Sequence, residues 1–184
     1  MTPLPLGFDA PPETLFDEKA IAVRVKELGA EIAGKRRGSD LTVVSISNGA
    51  TIFAADLVRA IDLPLRLDSL SARSYDGTES SGEVVFTPHL KLDPRGRNIL
   101  LVDDILDTGR TLRRVVEYLK DAGAESVETC VMLDKPARRV VGMEADFVGF
   151  EIPDVFVVGY GLDYDEYFRN LPYIGTLPGT ASIG

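Results

Sequence analysis

Three carboxylates and two threonines lie within nine residues near the centre of the chain, in the segment Asp103-Asp104-Ile105-Leu106-Asp107-Thr108-Gly109-Arg110-Thr111. Hydroxyl donors and a glycine that lets the backbone come close are typical of a loop that binds phosphate. Carboxylates beside such a loop require a ligand that also donates hydrogen bonds, and the vicinal hydroxyls of a ribose do so. The segment therefore predicts a site for a phosphorylated ribose, with Asp103 and Asp104 on the hydroxyls and residues 108–111 on the phosphate. Asp107 has no role in binding the ribose or the phosphate, so it is available for a different function.

The elements on either side of this segment indicate how it is positioned. The apolar run from Ile99 to Val102 has no period of two, which is typical of a strand buried on both faces of a parallel sheet, and it ends in acid. From Leu112 to Ala122 the apolar residues recur at helical spacing, and Gly123 is a C-terminal cap signal. Unpaired backbone N–H groups and the helix dipole then converge on the loop between strand and helix, which predicts an anion site.

The rest of the chain alternates between strand and helix patterns, which predicts an α/β fold with a mostly parallel twisted sheet, flanked by helices, and a ligand site at the carboxyl ends of the strands. We expect an N-terminal arm over residues 1–16, one domain over 17–178 and a tail over 179–184. The predicted elements are a helix over 17–33 ended by Gly34–Gly38, strands over 41–46, 63–67 and 126–133, a helix over 51–60, and strands and turns over 147–164.

Two further predicted loops are rich in polar and small residues. Ser47-Asn48-Gly49-Ala50 lies between a strand and a helix start, so its backbone N–H groups form a second candidate oxyanion site. The segment from Ser71 to Glu83 is too polar to pack and is rich in small residues, which favours a mobile lid over a plain hairpin tip.

Composition narrows the class of protein. The 184 residues carry a net charge of −9, which argues against nucleic acid or an anionic membrane as the main partner. Cys130 is the only cysteine, so no internal disulfide forms, and its apolar strand favours an inert thiol in a reducing cytoplasm. The first 12 residues contain four prolines and lack the features of a signal peptide or an anchor.

The segment from Val102 to Thr111 resembles the phosphoribosyl-pyrophosphate (PRPP) motif of the type I phosphoribosyltransferases, a specific signal. Lys135-Pro136, Phe147 to Tyr164 and Arg169 to Gly175 resemble the hypoxanthine/guanine phosphoribosyltransferases, and the likeness covers the chain from about Leu41 to Leu177. It implies a small hood formed by the terminal segments, PRPP and a 6-oxopurine as substrates, Mg²⁺ as cofactor, and a cytoplasmic dimer or tetramer.

The same resemblance implies a role for individual residues. The assignments are Asp107 as general base; Asn48, Gly49 and Arg169 for pyrophosphate; Ser74 and Tyr75 for the lid; Lys135, Phe156 and the backbone at Val157 for the purine; and Asp103, Asp104 and Asp163 for the metal. The family often has a basic residue where this chain has Asn48, which is a departure from the pattern.

The chemistry of Lys135 and Phe156 agrees with these roles. Lysine only donates hydrogen bonds, so it matches a 6-oxo acceptor better than the 6-amino group of adenine, and phenylalanine offers a flat apolar face. Taken alone, a surface lysine and a core aromatic residue would be the commoner interpretations.

Other interpretations of the acidic segment compete with this one. A phosphatase nucleophile needs carboxylates at i and i+2, a receiver-domain pocket would follow the first strand, and a solvated acidic turn does not explain Thr108 to Thr111. An RNA-binding regulator on the same fold would resemble the pyrimidine-operon attenuators, but these carry an aromatic residue where this chain has Asp107. A relative that binds nucleotides without turnover is the remaining alternative, for which Asn48 is the only indication.

Overall fold

The computed structural model describes residues 10–71 and 90–177. In chain order its elements are β1 (Glu13–Phe16), α1 (Glu18–Arg36), β2 (Leu41–Ser47), α2 (Thr51–Ala60), β3 (Leu65–Ser71), β4 (Asn98–Leu106), α3 (Arg110–Asp121), β5 (Ser126–Asp134), a short 3₁₀ turn (Pro136–Arg138), β6 (Phe147–Glu151), β7 (Val157–Val158) and β8 (Ile174–Thr176). None of the helices in these two ranges combines the length and apolar character needed to cross a bilayer.

A parallel sheet with strand order β3-β2-β4-β5-β6 forms the centre of the fold. From β2 the chain moves outward to β3, and from β4 it moves outward the other way, to β5 and then β6. The strand order therefore reverses between the neighbours β2 and β4, and ligands of such sheets bind at the carboxyl ends of the strands at that point. The predicted α/β fold with a parallel sheet is confirmed.

Residues of β4 alternate between two hydrophobic cores. Leu100 and Val102 pack in the core that contains α1 and α2, whereas Ile99 and Leu101 pack with α3 on the other face. All four side chains are at most 1% exposed, which confirms the prediction of a strand buried on both faces. Burying each such side chain stabilises the fold by about 1.5–3 kcal/mol, so β4 is firmly held where its acidic end reaches the site.

A second, antiparallel sheet with the order β1-β8-β7 forms a hood. It brings together the two ends of the described chain, as the resemblance implies. Strand β1 lies inside the segment predicted as an arm, so residues 13–16 belong to the hood. The side chain of Asp17 then caps α1 by accepting a 2.7 Å hydrogen bond from Ala20 N.

Some predicted boundaries were wrong. Helix α1 continues through Gly34 to Arg36, because the side chains of Lys35 and Arg36 both bind Glu128 on β5, at 2.7 and 2.6 Å, and hold the last turn. Compared with these two contacts to Glu128, the cost of a glycine inside a helix is small, about 1 kcal/mol. Strand β3 spans Leu65–Ser71 because it pairs residue by residue with β2.

Strand β4 also continues beyond the predicted end at Val102. It runs on to Leu106, and Asp103, Ile105 and Leu106 pair with residues of β5. The acids therefore lie on the strand itself and not in the loop that follows it, so the sheet fixes their backbone.

Candidate active site

The loops that follow β2 and β4 meet at the reversal point of the sheet. With residues from the chain after β7 they line a cavity of about 670 Å³. Arg110, predicted to bind phosphate, is exposed and does not line it. The other residues predicted to bind the phosphoribosyl, pyrophosphate and metal groups all line it: Asn48, Gly49, Asp103, Asp104, Thr108, Gly109, Thr111, Asp163 and Arg169.

The loop between β4 and α3 has the geometry of an anion site. The first intrahelical bond of α3 runs from Arg113 N to Gly109 O at 3.0 Å, so the N–H groups before it in the first turn have no acceptor within the helix. Gly109 has φ 83°, a left-handed conformation that favours glycine. Thr108 and Thr111 add hydroxyls at the same end of the cavity. This arrangement suits a phosphate group.

Asp103 and Asp104 lie side by side at the base of the cavity. Oδ1 of Asp103 accepts a hydrogen bond from Asp104 N at 3.0 Å, and Oδ1 of Asp104 accepts one from Ile105 N at 2.7 Å. Burial raises the pKa of both carboxyls, and the charge of Asp104 raises the pKa of Asp103 further. Hydroxyl donors or a cation would favour the ionised forms, so the pair is suited to a ligand that brings such groups.

Gly49 brings the loop after β2 against this acidic pair. A Cβ added at Gly49 would overlap Oδ2 of Asp104, and a Cβ added at Gly161 would overlap the carbonyl oxygen of Gly49. Asn48 is exposed and lines the cavity, and the peptide bond between Ser47 and Asn48 is cis. The predicted pyrophosphate loop therefore contacts the predicted ribose site, and residue 49 has no room for a side chain.

Arg169 reaches the cavity from the chain after β7. Its Nη2 lies 2.7 Å from Oδ1 of Asp163 and 3.0 Å from Oε2 of Glu166, and its Nη1 donates to the carbonyl oxygen of Gly161 at 2.8 Å. The guanidinium is thus held in place before any ligand binds. Glu166, which the sequence did not single out, is exposed and lines the cavity.

A second cavity of about 270 Å³ adjoins the first. The residues common to both cavities are Asp104, Ile105, Asp107 and Asp163. The second cavity is also lined by the residues predicted to bind a purine, Lys135, Phe156 and Val157, together with Arg138, Asp154, Val155 and Leu162. The structure therefore places the two predicted half-sites next to each other, with Asp107 on their common border.

Lys135 is fixed at the end of β5 with its amino group in the second cavity. It is 6% exposed, and its Nζ donates to the carbonyl oxygen of Val155 at 2.8 Å and lies 3.8 Å from Oδ1 of Asp154. A lysine ammonium has three N–H donors, so it can still donate to a ligand. Phe156 packs edge to face with Tyr164, with ring centroids 5.6 Å apart.

Asp107 is the carboxylate on the border of the two cavities. Its Oδ1 is buried and, among the described residues, accepts no hydrogen bond with good geometry. Nε of Arg138 lies 3.2 Å from the same oxygen, and Nη1 of Arg138 lies 3.9 Å from Oδ1 of Asp154. Oδ1 of Asp107 thus lies beside the Arg138 cation and, as a carboxylate oxygen with two lone pairs, can still accept a proton from a ligand.

The neighbouring Arg139 holds the backbone of the same loop. Its Nη1 donates to the carbonyl oxygens of Leu106 and Asp107, at 2.9 and 2.6 Å, and its Nη2 pairs with Asp134. Sequence reasoning missed both Arg138 and Arg139. The available signal was their position directly after the lysine predicted to bind the purine, but only the fold shows which loop they reach.

The oxygen ligands of the larger cavity fit a magnesium ion. Asp103, Asp104 and Asp163 supply carboxylates, the ligand type Mg²⁺ prefers. In residues 10–71 and 90–177 no group of three or more candidate protein ligands converges on one point. Mg²⁺ commonly uses one or two carboxylates and completes its shell with phosphate oxygens and water, so the lining suits a metal that binds with a phosphorylated ligand.

Ser74 and Tyr75, predicted to form a lid, lie outside the described residues. Ser71, the last residue of β3, lines the larger cavity. The segment predicted as a lid therefore begins at the cavity, and its role stays a prediction.

Comparison with known proteins agrees with this geometry. The family model described as a phosphoribosyl transferase domain matches residues 12–165. The chain therefore belongs to the phosphoribosyl transferase domain family.

Similar proteins indicate the branch of this family to which the chain belongs. The chain is 45% identical over 166 residues to the hypoxanthine-guanine phosphoribosyltransferase of Bacillus subtilis, covering 90% of this chain and 92% of that protein. A crystal structure of a hypoxanthine phosphoribosyltransferase from Staphylococcus aureus superposes with a TM-score of 0.85 at 45% identity and covers 90% of each chain. The likeness puts the chain in the hypoxanthine-guanine branch of the family.

One group of relatives is longer. The bifunctional TilS/HprT protein of Listeria innocua is 46% identical over 166 residues, and these cover 90% of this chain and 26% of that protein. The chain thus spans about a quarter of the length of these bifunctional relatives.

Proposed function

We propose that this protein is a purine salvage enzyme that transfers the 5-phosphoribosyl group of PRPP to N9 of hypoxanthine and guanine, giving IMP or GMP and pyrophosphate. The observation that carries the proposal is the junction of the two cavities at Asp107. One cavity has the groups for a phosphorylated ribose, the other has the groups for a flat 6-oxo base, and the group-transfer step needs both at van der Waals distance.

In the larger cavity the 5-phosphate of the ribose binds the loop from Thr108 to Thr111, and the 2′- and 3′-hydroxyls of the ribose donate to Asp103 and Asp104. The pyrophosphate group lies toward Gly49 and Arg169. Support comes from the left-handed Gly109, the first-turn N–H groups of α3 that have no acceptor within the helix, and the contact between Gly49 and Asp104.

In the smaller cavity Lys135 donates to the 6-oxo group, Phe156 stacks on the base, and the backbone at Val157 binds its edge. Adenine would place an amino group against the Lys135 ammonium, and the lost buried hydrogen bond would cost about 1–3 kcal/mol. The bond from Lys135 to Val155 fixes the donor before the base arrives.

The reaction exchanges one bond for another at C1′ of the ribose. N9 of the purine forms a bond to C1′ as the bond from C1′ to the pyrophosphate oxygen breaks, and the electron pair leaves with that oxygen. Asp107 takes the proton that the purine loses, at N7, and so acts as general base. Such proton transfer contributes about 10²- to 10⁴-fold to the rate.

Asp103, Asp104 and Asp163 would hold Mg²⁺ together with the substrate oxygens. When bound, the ion supplies positive charge that neutralises the leaving pyrophosphate. The described residues that line the larger cavity include five carboxylates and one guanidinium, that of Arg169, so the side chains alone do not balance a polyanionic substrate.

We further propose that the protein acts in the cytoplasm as a dimer or tetramer. The buried free thiol of Cys130 is compatible with a reducing compartment. Light scattering of the purified protein would determine the oligomeric state.

A base panel tests the proposed function. The purified chain is supplied with PRPP, Mg²⁺ and one base at a time: hypoxanthine, guanine, xanthine, adenine, uracil or orotate. We expect nucleotide formation with hypoxanthine and guanine and none with adenine, uracil or orotate. PRPP binding without turnover of any base would contradict an enzymatic role and favour a nucleotide-binding relative.

A further inference from the structure

Tyr160 links the hood region to α2, and the proposed mechanism does not use it. Its hydroxyl donates to Oδ2 of Asp56 on α2 at 2.7 Å, across 104 positions of the chain. The residue is 6% exposed and has φ 51°, a left-handed conformation that is uncommon for tyrosine. Burial and the bond to Asp56 raise the pKa of Tyr160 well above its ordinary value, so the phenol remains a donor.

Asp56 lies on the helix that begins where the predicted pyrophosphate loop ends. Helix α2 starts at Thr51, whose N–H donates to the carbonyl oxygen of Asn48 at 3.1 Å. The two carboxylate oxygens of Asp56 have different partners, since Oδ1 pairs with Arg59 and Oδ2 accepts from Tyr160. The tyrosine therefore anchors its own segment to the helix that carries the loop.

The residue after Tyr160 contacts the loop directly. Gly161 packs so closely against the carbonyl oxygen of Gly49 that a Cβ would overlap it. The Gly161 backbone is held from its other side by Arg169, with Gly161 N donating to Arg169 O at 3.0 Å and Arg169 Nη1 donating to Gly161 O at 2.8 Å. Gly49 in turn rests on Asp104. A displacement of Tyr160 would thus be passed to Gly49 through backbone contacts.

We infer that Tyr160 and Asp56 are positioning residues for the pyrophosphate loop, because their hydrogen bond fixes Gly161 against Gly49 and so sets the shape of the Asn48–Gly49 backbone. This inference rests on the proposed function, in which that loop binds the leaving pyrophosphate. Affinity for PRPP and for pyrophosphate then depends on the bond. Affinity for IMP, which has no pyrophosphate group and whose phosphate binds the loop before α3, depends on it much less.

Isothermal calorimetry with Tyr160→Phe tests the inference, using magnesium pyrophosphate, PRPP with Mg²⁺, and IMP as separate ligands. We expect the Kd for pyrophosphate and for PRPP to rise about three- to tenfold, less than for loss of a hydrogen bond to a charged ligand, because the Tyr160–Asp56 bond acts on the loop and not on the ligand itself. The Kd for IMP should stay within about twofold, because a hydrogen bond that the nucleotide site does not use leaves its affinity nearly unchanged.

Variants of Asp56 provide an independent route if Tyr160→Phe folds poorly. Asp56→Asn keeps an acceptor oxygen and should bind pyrophosphate nearly as the wild type does, whereas Asp56→Ala should weaken it as Tyr160→Phe does. Arg59→Ala is the matched control, because it removes the partner of Oδ1 and leaves the bond to Tyr160 in place. Ile32→Val, in the core on α1 and away from both cavities, controls for a general loss of stability.

Unchanged pyrophosphate affinity in both Tyr160→Phe and Asp56→Ala would overturn the inference, as would an equal loss for IMP and pyrophosphate. A wild-type protein that binds neither PRPP nor pyrophosphate would overturn the proposed function and the inference together. If the wild type binds both ligands normally and the variants have no effect, the inference alone fails and the proposed function stands.

Discussion

Arg138 and Asp107 form an ion pair on the border between the two cavities, with Nε of the arginine 3.2 Å from Oδ1 of the aspartate. Arg138 is in the short 3₁₀ turn after β5, and Asp107 is in the loop after β4. The pair therefore joins the turn that follows Lys135, the lysine proposed to bind the purine, to the loop that carries the proposed general base. A fixed carboxylate is favourable for catalysis because small errors in position cost rate.

Arg138→Ala should lower kcat about tenfold while leaving the KM for PRPP nearly unchanged, because the carboxylate of Asp107 loses its orienting partner but the phosphate loop is intact. Steady-state kinetics with hypoxanthine measures both constants. Arg113→Ala, which removes an exposed ion pair with Glu117 on α3, is the control and should behave like the wild type. An increase in the KM for PRPP with constant kcat would contradict a role at Asp107.

Asp107→Asn should lower kcat by about 10²- to 10⁴-fold, since an amide cannot take the proton from the purine. PRPP binding, measured by calorimetry, should be mostly retained. Asp121→Asn makes the same change at an exposed position at the end of α3 and should have no effect. Unchanged turnover of Asp107→Asn would remove Asp107 from the role of general base.

Lys135→Ala should raise the KM for hypoxanthine and guanine by about 10- to 100-fold, because the 6-oxo group then loses its buried donor. Adenine should remain a poor substrate, since the substitution adds no acceptor side chain at position 135. The change also removes the bond to Val155, so thermal unfolding must show that the variant is folded under the assay conditions. Lys120→Ala, on an exposed position of α3, is the control.

Gly49→Ala should reduce affinity for PRPP and pyrophosphate at least about tenfold, because the new methyl group would displace either the loop or the Asp104 carboxylate. Gly34→Ala is a well-matched control. A Cβ at Gly34 meets no atom within 4 Å, and alanine is the better helix former there. Calorimetry with PRPP compares the two, and an equal effect of both substitutions would contradict the close contact.

Cys130 should be unreactive toward a thiol reagent in the native state. Burial raises the pKa of its thiol, so the native protein keeps the proton. In the unfolded chain the thiol loses its proton above a pH of about 8.5. The stability that the protonated thiol gives the native state is therefore fully present below that pH and is lost as the pH rises further. Native protein should react only after denaturant is added. Cys130→Ala should show a smaller decrease in melting temperature between pH 7.5 and pH 9.5 than the wild type.

The local pattern was enough for the central elements. The apolar run of β4, the Asp and Thr residues after it and the helical spacing of α3 depend on neighbours in sequence, so their order could be predicted. Boundaries were less certain where tertiary contacts decide them. Lys35 and Arg36 extend α1 by binding Glu128, a partner 92 or more residues away, and pairing with β5 carries β4 past its acidic residues.

The sequence by itself was enough to predict the two candidate half-sites, a phosphate loop with paired carboxylates and a lysine followed later by Phe156, because the residues of the first lie within nine positions of the chain and those of the second, from Lys135 to Val157, within 23. Only the tertiary structure brought these halves to a common border at Asp107, placed Arg138 against that carboxylate, and seated Gly49 between Asp104 and Gly161. These contacts join residues from separate strands and loops, and their distances are set by the packing of the sheet and the hood, which no local pattern records.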